Sequence, residues 1–302
     1  MKITGTFLDE ISYDIPHQNW GPEEWEKDFQ DMKSIGIDTV ILIRCGLIKQ
    51  ISYPSAYLME KFGCMEPASD LVEMFLSLAD KYDMKFYFGT YDSGSCWDKD
   101  AFEYETQINY PLVDEAWARY GHHRSFAGWY LSVEISRRRK VAAESYAALG
   151  KYCKKVSGGL PVMISPFLDP VKAEDDQKAA LEAHQKDWEE ILQIIQGAVD
   201  IVAFQDGTVP EWELENYLRT GVTLMKRHGI SCWTNCETFD RDMPIHFLPI
   251  KWEKMWHKLC AAENAGIDKA ITFEFSHFMS PNSIYRAAGN LFKRYKEYAG
   301  IK

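Results

Sequence analysis

Residues 126–134 read FAGWYLSVE, and the reading of this stretch decides the fold. Side chains alternate along an extended chain, so Trp129, Leu131 and Val133 share one face and Tyr130, Ser132 and Glu134 the other. The first set suits packing against helices. The second ends in a carboxylate at the point where a strand gives way to a loop. Acidic residues are poor strand formers, and a buried carboxylate is costly unless paired. Seven further segments share this design: ITGTFLDE, DTVILIRCG, KFYFGTYD, LPVMISPFLD, DIVAFQDG, ISCWTNCE and KAITFEF. Six of the seven also end in acid, at Asp9 with Glu10, Asp92, Asp169, Asp206, Glu237 and Glu274, while the second carries Arg44 instead.

Helical patterns fill the gaps between these segments. Gly21-Pro22-Glu23-Glu24 opens the first, with Pro and acids at the positive end of the helix dipole. Trp25, Phe29, Met32 and Ile35 then recur at helical spacing. Further helices are expected near 68–82, 111–120, 139–156, 171–197, 210–228, 249–265 and 282–298. The strands are expected near 2–9, 38–45, 85–91, 126–134, 161–168, 200–205, 231–237 and 269–275. Eight βα units without a linker predict a single-domain (β/α)8 TIM barrel over residues 1–302, with its active site where the strands end. A doubly wound open sheet is disfavoured because no Gly-rich phosphate fingerprint follows the first strand. The longest loops follow strands one, two and three and are expected to wall one side of the cleft.

The 302 residues are 46% hydrophobic, 26% charged and 14% aromatic, with ten Trp, as expected of a globular protein. A net charge of −11 argues against nucleic acid and, less strongly, against anionic membranes, and favours a neutral ligand. The start reads directly into a strand and no run is long enough to cross a bilayer. Seven scattered Cys favour a reducing compartment, so a cytoplasmic location is expected. Cys232 and Cys236 read as buried free thiols on a helix-facing strand side rather than metal ligands.

The same parity places Glu237 with Asn235 and Trp233, and Glu274 with Thr272 and Ser276, on inward faces. Strand two is ambiguous, since both its faces are apolar. Glu134 and Glu237 form the leading pair, across the barrel mouth from each other, which is what glycosidic bond cleavage needs. Either residue can instead cap a helix or join a surface ion pair. Arg44 is expected either beside Glu237, holding it ionised, or in a salt bridge with another of the strand-end acids. Gln205 and Asp206 suit sugar hydroxyls, and Glu274 is a third mouth acid. His17 and Trp20 after strand one, Tyr91 and Trp97 after strand three, Trp233 and Asn235 before Glu237, and His277 after strand eight complete the candidate substrate-binding set. The pair His122-His123 lies at the opposite end of the barrel.

The stretches GWYLSVE, VAFQDG and WTNCETF resemble those of the TIM-barrel proteins grouped as domain-of-unknown-function family 4434, over most of the chain. That resemblance implies a glycoside-hydrolase-like barrel. The layout is also similar to the large retaining glycosidase clan with its acid/base on strand four and nucleophile on strand seven. This implies Glu134 as acid/base, Glu237 as nucleophile and Arg44 as the clan's strand-two arginine. The Asn that usually precedes the acid/base is Val133 here. The expected function is a retaining glycoside hydrolase acting on a neutral oligosaccharide or small glycoside, with no cofactor and no metal. The alternatives are a metal-dependent sugar isomerase or epimerase using Glu134, Asp169, Asp206 and Glu274, and a non-catalytic carbohydrate-binding barrel.

Overall fold

The structure is a computed structural model that describes residues 1–96, 101–137, 142–168, 176–241 and 247–301. Eight parallel strands close a barrel: β1 (Ile3–Leu8), β2 (Thr39–Leu42), β3 (Lys85–Gly89), β4 (Phe126–Tyr130), β5 (Val162–Ile164), β6 (Ile201–Gln205), β7 (Ser231–Asn235) and β8 (Lys269–Thr272). Each pairs with its neighbours in sequence, and β8 closes the ring on β1. Seven of the eight stop short of their expected ends, β6 alone reaching Gln205, and this shortening governs the site.

Alternation sorts the strand side chains into two apolar layers. Phe7, Ile41, Tyr87, Tyr130, Trp233 and Ile271 belong to the cluster inside the barrel. Leu8, Val40, Phe86, Trp129, Cys232 and Ala270 belong to the layer between sheet and helices. Gly5 and Gly128 make room within the barrel. A Cβ on Gly5 would stand 2.6 Å from Ile271, and one on Gly128 would stand 2.5 Å from the Tyr87 ring, closer than packed carbon atoms approach.

The helices around the sheet are α1 (Pro22–Ser34), α2 (Leu71–Tyr82), α3 (Phe102–Tyr120), α4 (Ala143–Val156), α5 (Gln177–Ile195), α6 (Leu214–His228), α7 (Trp252–Ala265) and α8 (Arg286–Ala299). Their starts follow local capping chemistry. Gly21 N–H donates to Glu24 Oε2 at 3.0 Å before Pro22, and Asp70 accepts from Glu73 N–H at 2.9 Å. Asp176 likewise caps α5. The helix expected near 111–120 begins earlier, at Phe102, with Pro111 in its interior. Proline ordinarily breaks a helix interior, but tertiary packing of Phe102, Ile108, Leu112 and Val113 carries the helix through it. Short helices at Ala56–Phe62 and Phe275–Phe278 sit in the loops after β2 and β8. Among the described residues no helix is long and apolar enough to cross a membrane. Cys232 and Cys236 are buried free thiols in the outer layer.

Candidate active site

A cavity of about 330 Å³ opens at the carboxyl ends of the strands. Glu134, Glu237, Arg44, Gln205 and Asn235 line it, together with Arg241. Phe239, Phe247 and Phe273 supply an apolar wall, and Ser12–Ile15 form part of the rim.

Glu134 lies four residues beyond the end of β4. The intervening chain is no longer strand, but it is pinned. Ser132 N–H donates to Thr90 Oγ1 at 3.0 Å, Ser132 Oγ donates to Thr90 O at 2.7 Å, and the Tyr146 hydroxyl donates to Val133 O. Tyr130 OH reaches Glu134 Oε1 at 3.4 Å. Burial pushes the Glu134 carboxyl up to about 7; Arg44 and Arg241 oppose this shift, while Glu237 and Asp92 add to it.

Glu237 is 1% exposed. Its oxygens accept a bidentate pair from Arg241, with Nε to Oε2 and Nη2 to Oε1 both at 2.7 Å. The Arg241 guanidinium also stacks over Phe239, 4.9 Å from the ring centre. The Glu237 backbone is held as well. Its N–H donates to Asp206 Oδ1 at 3.1 Å, and Lys258 Nζ, projecting from α7, donates to Glu237 O at 3.2 Å and to Asp206 Oδ1 at 2.7 Å. Burial raises the Asp206 carboxyl against the pull of Lys258. For Lys258 burial acts the other way, but the surrounding carboxylates prevail and raise its ammonium. Gly207 leaves the room this arrangement needs: a Cβ there would overlap Glu237 Oε2 and fall 2.7 Å from Arg241 Nε.

Several expectations need correction. The cation on Glu237 is Arg241, four residues along the chain, and not Arg44. Arg44 instead pairs with Asp92 at 3.3 Å and faces Glu134 electrostatically. Because β2 ends at Leu42, strand alternation no longer applies at Arg44. Glu274 does not line the cavity. It is wholly buried and caps the short helix after β8, accepting from Ser276 N–H at 2.9 Å and His277 N–H at 2.7 Å. The parity reading of strand eight is inverted, since Ile271 faces the barrel interior and Phe273 lines the cavity. Thr272 and Thr238 use their hydroxyls to bond one another and backbone carbonyls between the layers. Polarity was therefore a poor guide to direction at this strand.

His277, also wholly buried, bonds Glu274 through Nδ1. Burial opposes its charge, but Glu274, Glu10 and Asp9 outweigh it and push the imidazole up to about 9. Asp206 is committed to Lys258 and the Glu237 backbone rather than presented to a sugar, whereas Gln205 and Asn235 do reach the cavity. Trp233 points toward the opposite end, against Tyr87 and under Lys269. Tyr91 OH donates to Ile48 O at 2.6 Å and anchors the loop after β2. Trp20 packs edge-on against Trp25. His17 accompanies Glu10 in a neighbouring cavity. Trp97 and Asp169 lie outside the described residues. Of the described carboxylates of the metal-dependent alternative, Asp206 is salt-bridged to Lys258 and Glu274 caps a helix. Among the described residues no group of three His, Cys, Asp or Glu side chains converges as a metal site.

Arg241, Lys258 and Tyr13 were not anticipated. The first two leave a trace in the sequence. Arg241 stands four residues after Glu237, and Lys258 falls on the buried stripe of α7 with Met255, Leu259 and Ala262, where a lysine is out of place unless paired.

The family model described as "Domain of unknown function (DUF4434)" matches residues 3–285. A crystal structure from Bacteroides thetaiotaomicron VPI-5482, carrying the provisional description alpha-L-fucosidase, is 55% identical with a TM-score of 0.96, and the match covers 100% of this chain and 94% of that one. The endo-1,4-beta-D-mannanase of Thermotoga petrophila RKU-1 shares the fold at 11% identity and TM-score 0.59, covering all of both chains. The intracellular xylanase of Thermoanaerobacterium saccharolyticum JW/SL-YS485 does so at 10% identity and TM-score 0.53, over 89% of this chain and 84% of that one. No curated protein matches.

Proposed function

This chain belongs to the DUF4434 family, and from that premise we propose that it is a retaining glycoside hydrolase in which Glu134 is the acid/base and Glu237 the nucleophile. One observation carries the reading: two carboxylates share one cavity, Glu134 raised by burial and Glu237 gripped by the Arg241 guanidinium. Glu134, held up near 7 by burial, keeps a proton to give at neutral pH. Glu237 is held in place by a bidentate pair with the Arg241 guanidinium. In the first step the Glu134 proton passes to the glycosidic oxygen as its bond to the anomeric carbon breaks, and a Glu237 oxygen bonds that carbon. Each Glu237 oxygen donates one lone pair to Arg241 and retains another for the attack. In the second step Glu134 takes a proton from water, which displaces Glu237. Gln205 and Asn235 orient hydroxyls, and the Phe wall faces the apolar side of the sugar ring. Neutral glycosides suit the acidic chain, and the description of the 55% identical relative puts alpha-L-fucosides among the first to test.

The test pairs two substitutions on any substrate the wild type cleaves. Glu237→Ala abolishes turnover, and added azide restores it, releasing a glycosyl azide of inverted anomeric configuration. Glu134→Ala loses far less activity on aryl glycosides with good leaving groups than on alkyl glycosides. Undiminished turnover by Glu237→Ala without azide sinks the assignment.

A further inference from the structure

The loop after β1 is firmly built. Asp9 Oδ1 accepts from Ile11 N–H at 3.0 Å and Ser12 N–H at 2.9 Å. Ile15 is buried in a cluster with Phe239 and Phe278, and His17 Nε2 bonds Ser12 O at 3.1 Å. Between these anchors stands Tyr13, 80% exposed, on the rim of the carboxylate cavity. An ordered loop therefore holds an aromatic ring in water. That arrangement forgoes the stabilisation a buried ring provides and leaves its face free for a ligand.

The same loop borders a second cavity, of about 280 Å³. Glu10, Ile11 and His17 line it on one side, Gln50 and Ser52 on the other. The two cavities share their framing segments. Ser12–Ile15 serve the first where Ile11 serves the second, and Leu47 serves the first where Gln50–Ser52 serve the second. The short hairpin at Gly46–Ile51 joins these positions. The rim thus offers an exposed aromatic face at the first chamber, on a loop that also borders the second, and both chambers are lined by hydrogen-bonding groups. Asp14, Glu10 and Glu66 make the path acidic, which disfavours a charged glycan of the same sign.

We propose that the binding cleft runs from the carboxylate cavity across Tyr13 into the cavity formed by Glu10, His17, Gln50 and Ser52, so that the ligand is a neutral oligosaccharide spanning both and stacking one sugar on Tyr13. The proposal rests on the glycosidase reading for the identity of the first cavity. Its own content is the length and neutrality of the ligand.

The experiment uses wild type, Tyr13→Ala, Tyr13→Phe and Gln50→Ala with xylotetraose, mannotetraose, a fucosylated tetrasaccharide and the matching monosaccharides. Affinity is read by calorimetry for sugars the wild type leaves intact, and kcat/KM for those it cleaves. For the preferred tetrasaccharide, Tyr13→Ala costs about tenfold, Gln50→Ala weakens it too, and Tyr13→Phe retains it. The matching monosaccharide is affected less, so the preference for length narrows. Loss of affinity without any cleavage supports the extended cleft and removes the glycosidase reading. Cleavage with a length preference that Tyr13→Ala and Gln50→Ala leave unchanged overturns the extended cleft alone, as does a failure of every tetrasaccharide to outbind its monosaccharide.

Discussion

Replacing Lys258 by Met tests the support beneath Glu237. Lys258 and Asp206 are 6% and 1% exposed, and their ion pair spans 2.7 Å. Methionine fills much of the same volume but leaves Asp206 buried without its cation and removes the donor to Glu237 O. Breaking one side of such a pair costs about 3–5 kcal/mol. The sign of the pH dependence follows. Asp206 is already raised beside Lys258 and rises further without it, so in the window between those two folded-state values the variant's native state binds more protons than the wild type's. Stability of the variant relative to wild type then falls as pH rises through that window and recovers as pH falls. Urea unfolding at pH 8 and at pH 5 reads both effects. Asp206→Asn alone is expected to be costly because it strands a buried ammonium, whereas the double substitution recovers much of the loss. Turnover gives a second readout: kcat falls about 100-fold as the Glu237 backbone loses its holders, with KM little changed. A stability loss below about 1 kcal/mol at pH 8, far under the cost of an unpaired buried charge, and no pH dependence relative to wild type would refute this account of the pair.

Three further outcomes are expected. Activity declines as pH rises above about 7, where Glu134 gives up the proton it must donate, and the basic limb of kcat/KM measures that group. Because the folded-state pKa of Glu134 is raised, ionising it destabilises the fold above its unfolded value; Glu134→Gln should therefore raise the melting temperature at pH 8, with little effect at pH 4, while lowering activity. Gly207→Ala should preserve the fold at a cost of about 1–3 kcal/mol but displace the Glu237–Arg241 pair, so that kcat drops with the circular dichroism spectrum unchanged.

The strand positions were legible because period-two alternation records which side of a sheet meets helices. Trp129 lies outside and Tyr130 inside, as the stretch 126–134 foretold. The arrival of Glu134 and Glu237 at a common cavity was legible too, since residues following parallel barrel strands converge at one face. Arg44 and Glu274 were harder. Each lies two residues past the end of its strand, where the pleat stops and side-chain direction depends on local hydrogen bonds. For Glu274, two backbone N–H groups at a helix start drew the carboxylate inward.

The sequence by itself determined the barrel, through eight repeats of an apolar alternating segment followed by an amphipathic one. It also placed an acid at the end of seven strands. Only the tertiary structure decided which acids turn away from the shared cavity and which cation each receives. Arg241 and Lys258 reach Glu237 from a loop and from an outer helix, and Asp206 is turned to Lys258. Pairings of this kind depend on where burial makes an unpaired charge too costly, and burial is a property of the folded chain.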